Sequence, residues 1–118
     1  MTISIEGPQE PPVPPEAVRI RSLSVDPYGD GRRVRLSLDL TPFDTSPNLE
    51  IQVQNQAGEP VSSAAVIGVH QPRLSLTLHL RGPAGPGAYH LQASLSYEEH
   101  GIVDQAEATF EIRSQGER

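Results

Sequence analysis

The chain of 118 residues has no cysteine, no tryptophan and no lysine, and only five aromatic side chains. Each absence removes a class of chemistry. Without cysteine there is no disulfide framework, thiolate metal site or thiol nucleophile. Without lysine the phosphate-cradling GxxxxGK[ST] loop cannot be built. Three tyrosines and two phenylalanines leave the core to aliphatic side chains, and large ring-lined pockets for sugars or cofactors are poorly supplied. No apolar run approaches the roughly 20 residues of a membrane-spanning helix. The opening "MTISIEGPQEPP" lacks the basic start and apolar stretch of a secretory signal, so with Met1 as the native start a cytoplasmic location is expected. Cations are scarce too. The formal charge is −6, which argues against nucleic acid and anionic membranes, because both attract a positive field.

What is present is punctuation and alternation. Twelve prolines and ten glycines divide the chain into short segments. Residues 1–16 form a proline-rich leader: "GPQEPPVPPE" holds five prolines in ten residues, which favours extended, semi-rigid polyproline II. Within it Ile3 and Ile5 suit a short edge strand, and Pro11…Pro14 and Pro12…Pro15 match the PxxP pattern that a plain spacer also produces. Residues 114–118, "SQGER", are a polar tail.

Between them, residues 17–113 run with a period of two. "RVRLSLDL" puts Val34, Leu36, Leu38 and Leu40 on one side. "LEIQVQ" does the same with Leu49, Ile51 and Val53, and "LSLTLHL" with Leu74, Leu76, Leu78 and Leu80. "YHLQASLSY" aligns Tyr89, Leu91, Ala93, Leu95 and Tyr97, and "IVDQAEATFEI" aligns Ala106, Ala108, Phe110 and Ile112. In "VRIRSLSV" the parity changes between Ile20 and Leu23, as a bulge near Arg21-Ser22 would produce. "VSSAAVIGV" is less regular and suits an edge strand or a crossing between sheets. About seven such segments, with no 3.6-residue pattern, define an all-β chain of antiparallel strands in two packed sheets, since each strand has one apolar face to cover.

One stretch sharpens this. "RGPAGPGAYHL", residues 81–91, loses the Gly-X-Y register of collagen at Ala88 and so reads as a loop delivering Tyr89 to the start of a strand. That arrangement resembles the tyrosine corner of immunoglobulin-like and fibronectin type III-like sandwiches. The resemblance implies an immunoglobulin-like β-sandwich in which residues 17–113 supply strands A, B, C, C′ or D, E, F and G. Two departures exclude antibody-type domains: Leu91 stands where their cysteine would be, and there is no core tryptophan. The connection from Leu80 to Tyr89 is also longer than the usual fibronectin corner.

Catalytic chemistry is not supplied. Glu98, Glu99 and His100 share a turn, and Asp26 and Asp30 flank "PYG", but neither has the ligand spacing of a calcium loop. His79 and His90 fall on strands of different sheets, facing opposite ways, and cannot share a metal. No GxSxG elbow or GxGxxG turn is present. The expectation is a non-enzyme without cofactor or metal.

Binding is the remaining class. Arg19, Arg21, Arg33 and Arg35 alternate opposite the apolar residues of the first two strands, and strand E would add His79 and Arg81. These five arginines make one candidate partner-binding face. The opposite exterior carries Glu50, Glu107 and Glu111 with Gln52, Gln54, His90 and Gln92. Arginine forks bind carboxylates bidentately, so the expected function is an interaction or spacer module docking a protein partner, or another copy of itself, through a sheet face or through the edge formed by "VSSAAVIGV". Neutralisation of the same arginines by Asp39 and nearby acids is the plainer reading. A carbohydrate-binding accessory module is the alternative, with loop aromatics Tyr28 and Phe43 as its ligand contacts.

Overall fold

A computed structural model describes residues 11–81 and 86–112. A single 3-10 turn, η1 (Pro15–Ala17), precedes seven strands: β1 (Ile20–Pro27), β2 (Arg33–Leu40), β3 (Asn48–Gln54), β4 (Pro60–Val66), β5 (Arg73–His79), β6 (Gly87–Tyr97) and β7 (Gly101–Ile112). They form two antiparallel sheets, β1-β2-β5 and β4-β3-β6-β7. In immunoglobulin-like terms these are A-B-E against C′-C-F-G. The ambiguous fourth segment is therefore C′, an edge strand hydrogen-bonded to β3. The expected leader strand around Ile3 and Ile5, residues 82–85 of the Gly-Pro run and the 114–118 tail lie outside the described residues.

The period-two pattern becomes the core directly. Val34, Leu36, Leu38 and Leu40 of β2 meet Leu49, Ile51 and Val53 of β3 and Leu91, Ala93 and Leu95 of β6, all essentially inaccessible. Each buried aliphatic side chain of this kind contributes roughly 1.5–3 kcal/mol. Leu23, Val25, Leu74 and Leu76 are only half-buried against the same cluster, because β1 and β5 are the outer strands of the three-stranded sheet. The parity change in β1 is a bulge: Ile20 pairs with Leu40 but Ser22 with Asp39, leaving Arg21 over. A second irregularity in β4 sets Val53 opposite Ser62 and Gln54 opposite Pro60, so Val61 and Ser62 are both buried.

The part of the leader within the described residues does not float free. The Val13 amide donates to the Pro42 carbonyl at 3.0 Å, Val13 bridges to Phe43, and Val18 is fully buried. Tyr89 is buried with its ring stacked on Phe110, centroids 5.5 Å apart. The β6–β7 turn closes with the His100 amide on the Tyr97 carbonyl, then Gly101 at φ +70°, a dihedral that side chains with a Cβ resist.

Candidate interaction surfaces

Strand register decides which polar side chains stand together. Across the exterior of β1-β2-β5, Asp26, Arg35 and Thr77 form one row, and Ser24, Ser37 and Ser75 the next. Ser22, Asp39 and Arg73 form a third, while Arg33 stands opposite His79. The arginine-rich face is thus interleaved with acids. Arg33 Nε donates to Asp30 Oδ2 at 2.8 Å, and its guanidinium lies 4.4 Å above the Tyr28 ring. Asp30 Oδ1 also accepts the Arg32 and Arg33 amides at 2.9 and 3.2 Å. These bonds hold the Asp30 carboxyl below its ordinary range, the Arg32 amide first and the Arg33 guanidinium next.

The five predicted arginines do not share one patch. Arg33 and Arg35 are on the sheet face. Arg21, the bulge residue, lines a shallow hollow with Asp39, Gln71 and Arg73 at the opposite end of that sheet. Arg19 turns into the seam between β1 and β7, where Nη1 donates to the carbonyls of Val18, Glu16 and Val103 at 2.8, 3.0 and 3.2 Å. Beside it the Ile20 amide donates to Asp104 Oδ2 at 2.8 Å. Arg81 lies beyond β5, its amide crossing to the Val61 carbonyl at 2.7 Å. Alternation assigns a residue to a side of its strand, but it says nothing about which seam or end a long side chain reaches.

Tyr28 and Phe43 also separate. Tyr28 follows β1 at one end of the sandwich, and Phe43 follows β2 at the other. Tyr28 has one ring face under Arg33 and its hydroxyl 3.4 Å from Thr77 Oγ1. Phe43 is half-buried against the core. On the four-stranded sheet the exterior rows are Ser63-Gln52-Gln92-Glu107 and Ala65-Glu50-Ser94-Gln105. His90 Nε2 is 3.6 Å from Glu107 Oε1. Among the described residues no group of three or more histidine and carboxylate side chains is placed to hold a metal, and no helix is long and apolar enough to cross a membrane.

Two features were not legible in the sequence. At the Phe43 end the β2–β3, β4–β5 and β6–β7 connections converge on an open groove of about 400 Å³ lined by Thr45, Asn48, Ile67, Tyr97, Glu99 and His100, among others. The Tyr97 hydroxyl donates to the Thr45 carbonyl at 2.7 Å, and the Gly68 amide donates to Asn48 Oδ1 at 3.0 Å. These bonds pin the loops that shape the groove. The second feature is Ile67, at the bend just after β4, with 80% of its surface exposed, more than the 59% of Ile102 on β7. A lone isoleucine in a β-rich segment carries no sequence signal that separates rim from core.

The architecture is that of an immunoglobulin-like β-sandwich. No protein-family model matches the sequence, and no curated protein does either. Solved structures do match. A β-glucuronidase of Bifidobacterium dentium complexed with coumarin-3-O-glucuronide aligns with TM-score 0.62 and 17% identity, over 81% of this chain and 18% of that one. A glycosyl hydrolase family 2 member from Bacteroides cellulosilyticus gives 0.59 and 14%, over 81% and 15%. The β-glucuronidase of Parabacteroides merdae gives 0.62 and 14%, over 81% and 14%. At such identities the likeness is one of fold, and this chain spans less than a fifth of each of those proteins.

Proposed function

We propose that this chain is a non-catalytic accessory β-sandwich module that docks a protein by adding its strand at β4, an edge of the four-stranded sheet among the described residues. The observation that carries the reading is the character of that edge. Exposed edges invite strand addition, and proteins commonly blunt them with charge, proline or bulges. The first half of β4 is blunted in this way by Pro60, the irregularity at Val61 and the Arg81 amide on the Val61 carbonyl. Residues 63–67, Ser-Ala-Ala-Val-Ile, have none of these devices and end in exposed Ile67. The partial coverage of much longer proteins by the structural likeness supports an accessory role, and the motif-poor sequence supports a non-enzyme.

The test is a pull-down from the source organism's lysate with three baits. Wild type and the Arg33→Glu plus Arg35→Glu double variant are expected to retain the same partner, and Ile67→Lys to lose it. Retention by Ile67→Lys overturns edge docking, and loss with the double arginine variant moves the site to the β1-β2-β5 face. A carbohydrate-binding accessory role is the second reading, favoured by the glycoside hydrolases among the structural neighbours. It predicts retention on polysaccharide columns that Tyr28→Ala abolishes.

A further inference from the structure

Resting on the edge-docking reading, we infer that the occupant of β4 is β4 of a second copy, joined antiparallel across a two-fold axis at Ala65. Two four-stranded sheets then fuse into one, in the order β7-β6-β3-β4-β4-β3-β6-β7. The inference follows from what a two-fold axis demands. Strands related by such an axis set each residue near it against its own twin or near-twin, so charge on the strand repels itself. Among the described residues the four sheet edges are β1, β5, β4 and β7. β7 carries three acids, Asp104, Glu107 and Glu111, β5 carries Arg73, and β1 is met by β7, its Ile20 amide donating to Asp104 Oδ2. β4 carries no charge, and neither does any of residues 60–69. A partner of different sequence would place no such requirement on this edge.

Geometry selects the register. The unblunted half of β4 is residues 63–66, with Ile67 at the bend that follows, and Ala65 is the outward-facing residue nearest the middle of that stretch. An axis there pairs 63 with 67, 64 with 66 and 65 with itself. Continuous sheet faces require an axis that keeps outward residues opposite outward residues, and Ser63 and Ala65 share the exterior with Gln52 and Glu50. Ile67 of each copy then lies across from Ser63 of the other, beside the Ala65 methyls, and loses its exposure. The closest exterior acid, Glu50, stands one strand in from β4. Its twin is three strand spacings away, about 14 Å, well beyond the roughly 8 Å screening length at physiological salt. A single strand-to-strand contact is a small interface, so the dimer is expected at micromolar concentrations and above.

The absence of native cysteine makes the test clean. Sedimentation from low micromolar to millimolar concentration should show a reversible monomer–dimer equilibrium. Ile67→Lys should weaken it about tenfold or more with an unchanged circular dichroism spectrum. Under mild oxidation Ala65→Cys should cross-link to a dimer, while Thr109→Cys on the far edge β7 should not. Cross-linking of Thr109→Cys as fast as Ala65→Cys overturns the register and the edge. A wild type that stays monomeric throughout overturns self-pairing. If that monomer still captures a partner that Ile67→Lys loses, the docking edge stands with a different occupant. If it captures nothing, both readings fall.

Discussion

Replacing Tyr97 by phenylalanine removes one oxygen and tests whether the loop end of the sandwich is pinned as described. The ring itself is buried and meets His100 edge-on with centroids 6.2 Å apart, and phenylalanine keeps that packing. What disappears is the 2.7 Å bond from the hydroxyl to the Thr45 carbonyl, 52 residues away in sequence. A neutral bond of this kind is worth about 0.5–1.5 kcal/mol net, with more lost if the abandoned carbonyl stays dry. Thr45 lies beside an open groove, so water reaches its carbonyl and the cost should stay near 1 kcal/mol. For a domain of this length that corresponds to a fall of about 3–6 °C in Tm. Thermal and urea unfolding monitored by circular dichroism would measure it, with the urea slope unchanged because the same surface is exposed on unfolding. A phenylalanine variant as stable as wild type would refute the reasoning, since the loop would then be held without the phenol.

The same packing sets other measurable outcomes. Leu36→Ala opens a cavity in the centre of β2 and should cost about 2–5 kcal/mol in urea unfolding, with Leu76→Ala on the half-buried edge costing clearly less. Burial pushes the Tyr89 and Tyr97 phenols above their ordinary value of 10.0. Because the unfolded chain then ionises first, stability should be level through neutral pH and fall above about pH 10, read as Tm against pH. The depressed Asp30 carboxyl acts in the opposite direction. Its contribution is present above its ordinary value of 3.8 and is lost as pH falls through the lower folded value. The solvent-exposed site makes that contribution small, so a carbon-detected NMR titration of Asp30 is the measurement that resolves it. A normal midpoint would mean that the Arg32 and Arg33 bonds do not form in solution.

The legible and illegible parts of this molecule divide along a physical line. Val34 to Leu40, Leu49 to Val53 and Tyr89 to Tyr97 alternate without fault, and their burial follows because the pleat sends successive side chains to opposite faces. The bulge at Arg21 was legible for the same reason, as a break in parity. The arginines were not, because a long flexible side chain is placed by partners elsewhere in the chain. Arg19 is held by Val103 and Arg33 by Asp30 and Tyr28. Tyr28 and Phe43 look alike in sequence as loop aromatics, yet β2 lies between them and sends them to opposite ends.

The all-β class, the approximate strand count and the inward-facing residues could be read from the sequence, since all of these depend on residue type and local spacing. Strand pairing and sheet stacking placed β4 beside β3 at an edge of the sheet among the described residues, left Ile67 in solvent and brought three loops together over Tyr97. Those are contacts between residues distant in the chain, and their free energies are set by which strands pair and how the two sheets stack. A period of two does not encode that choice.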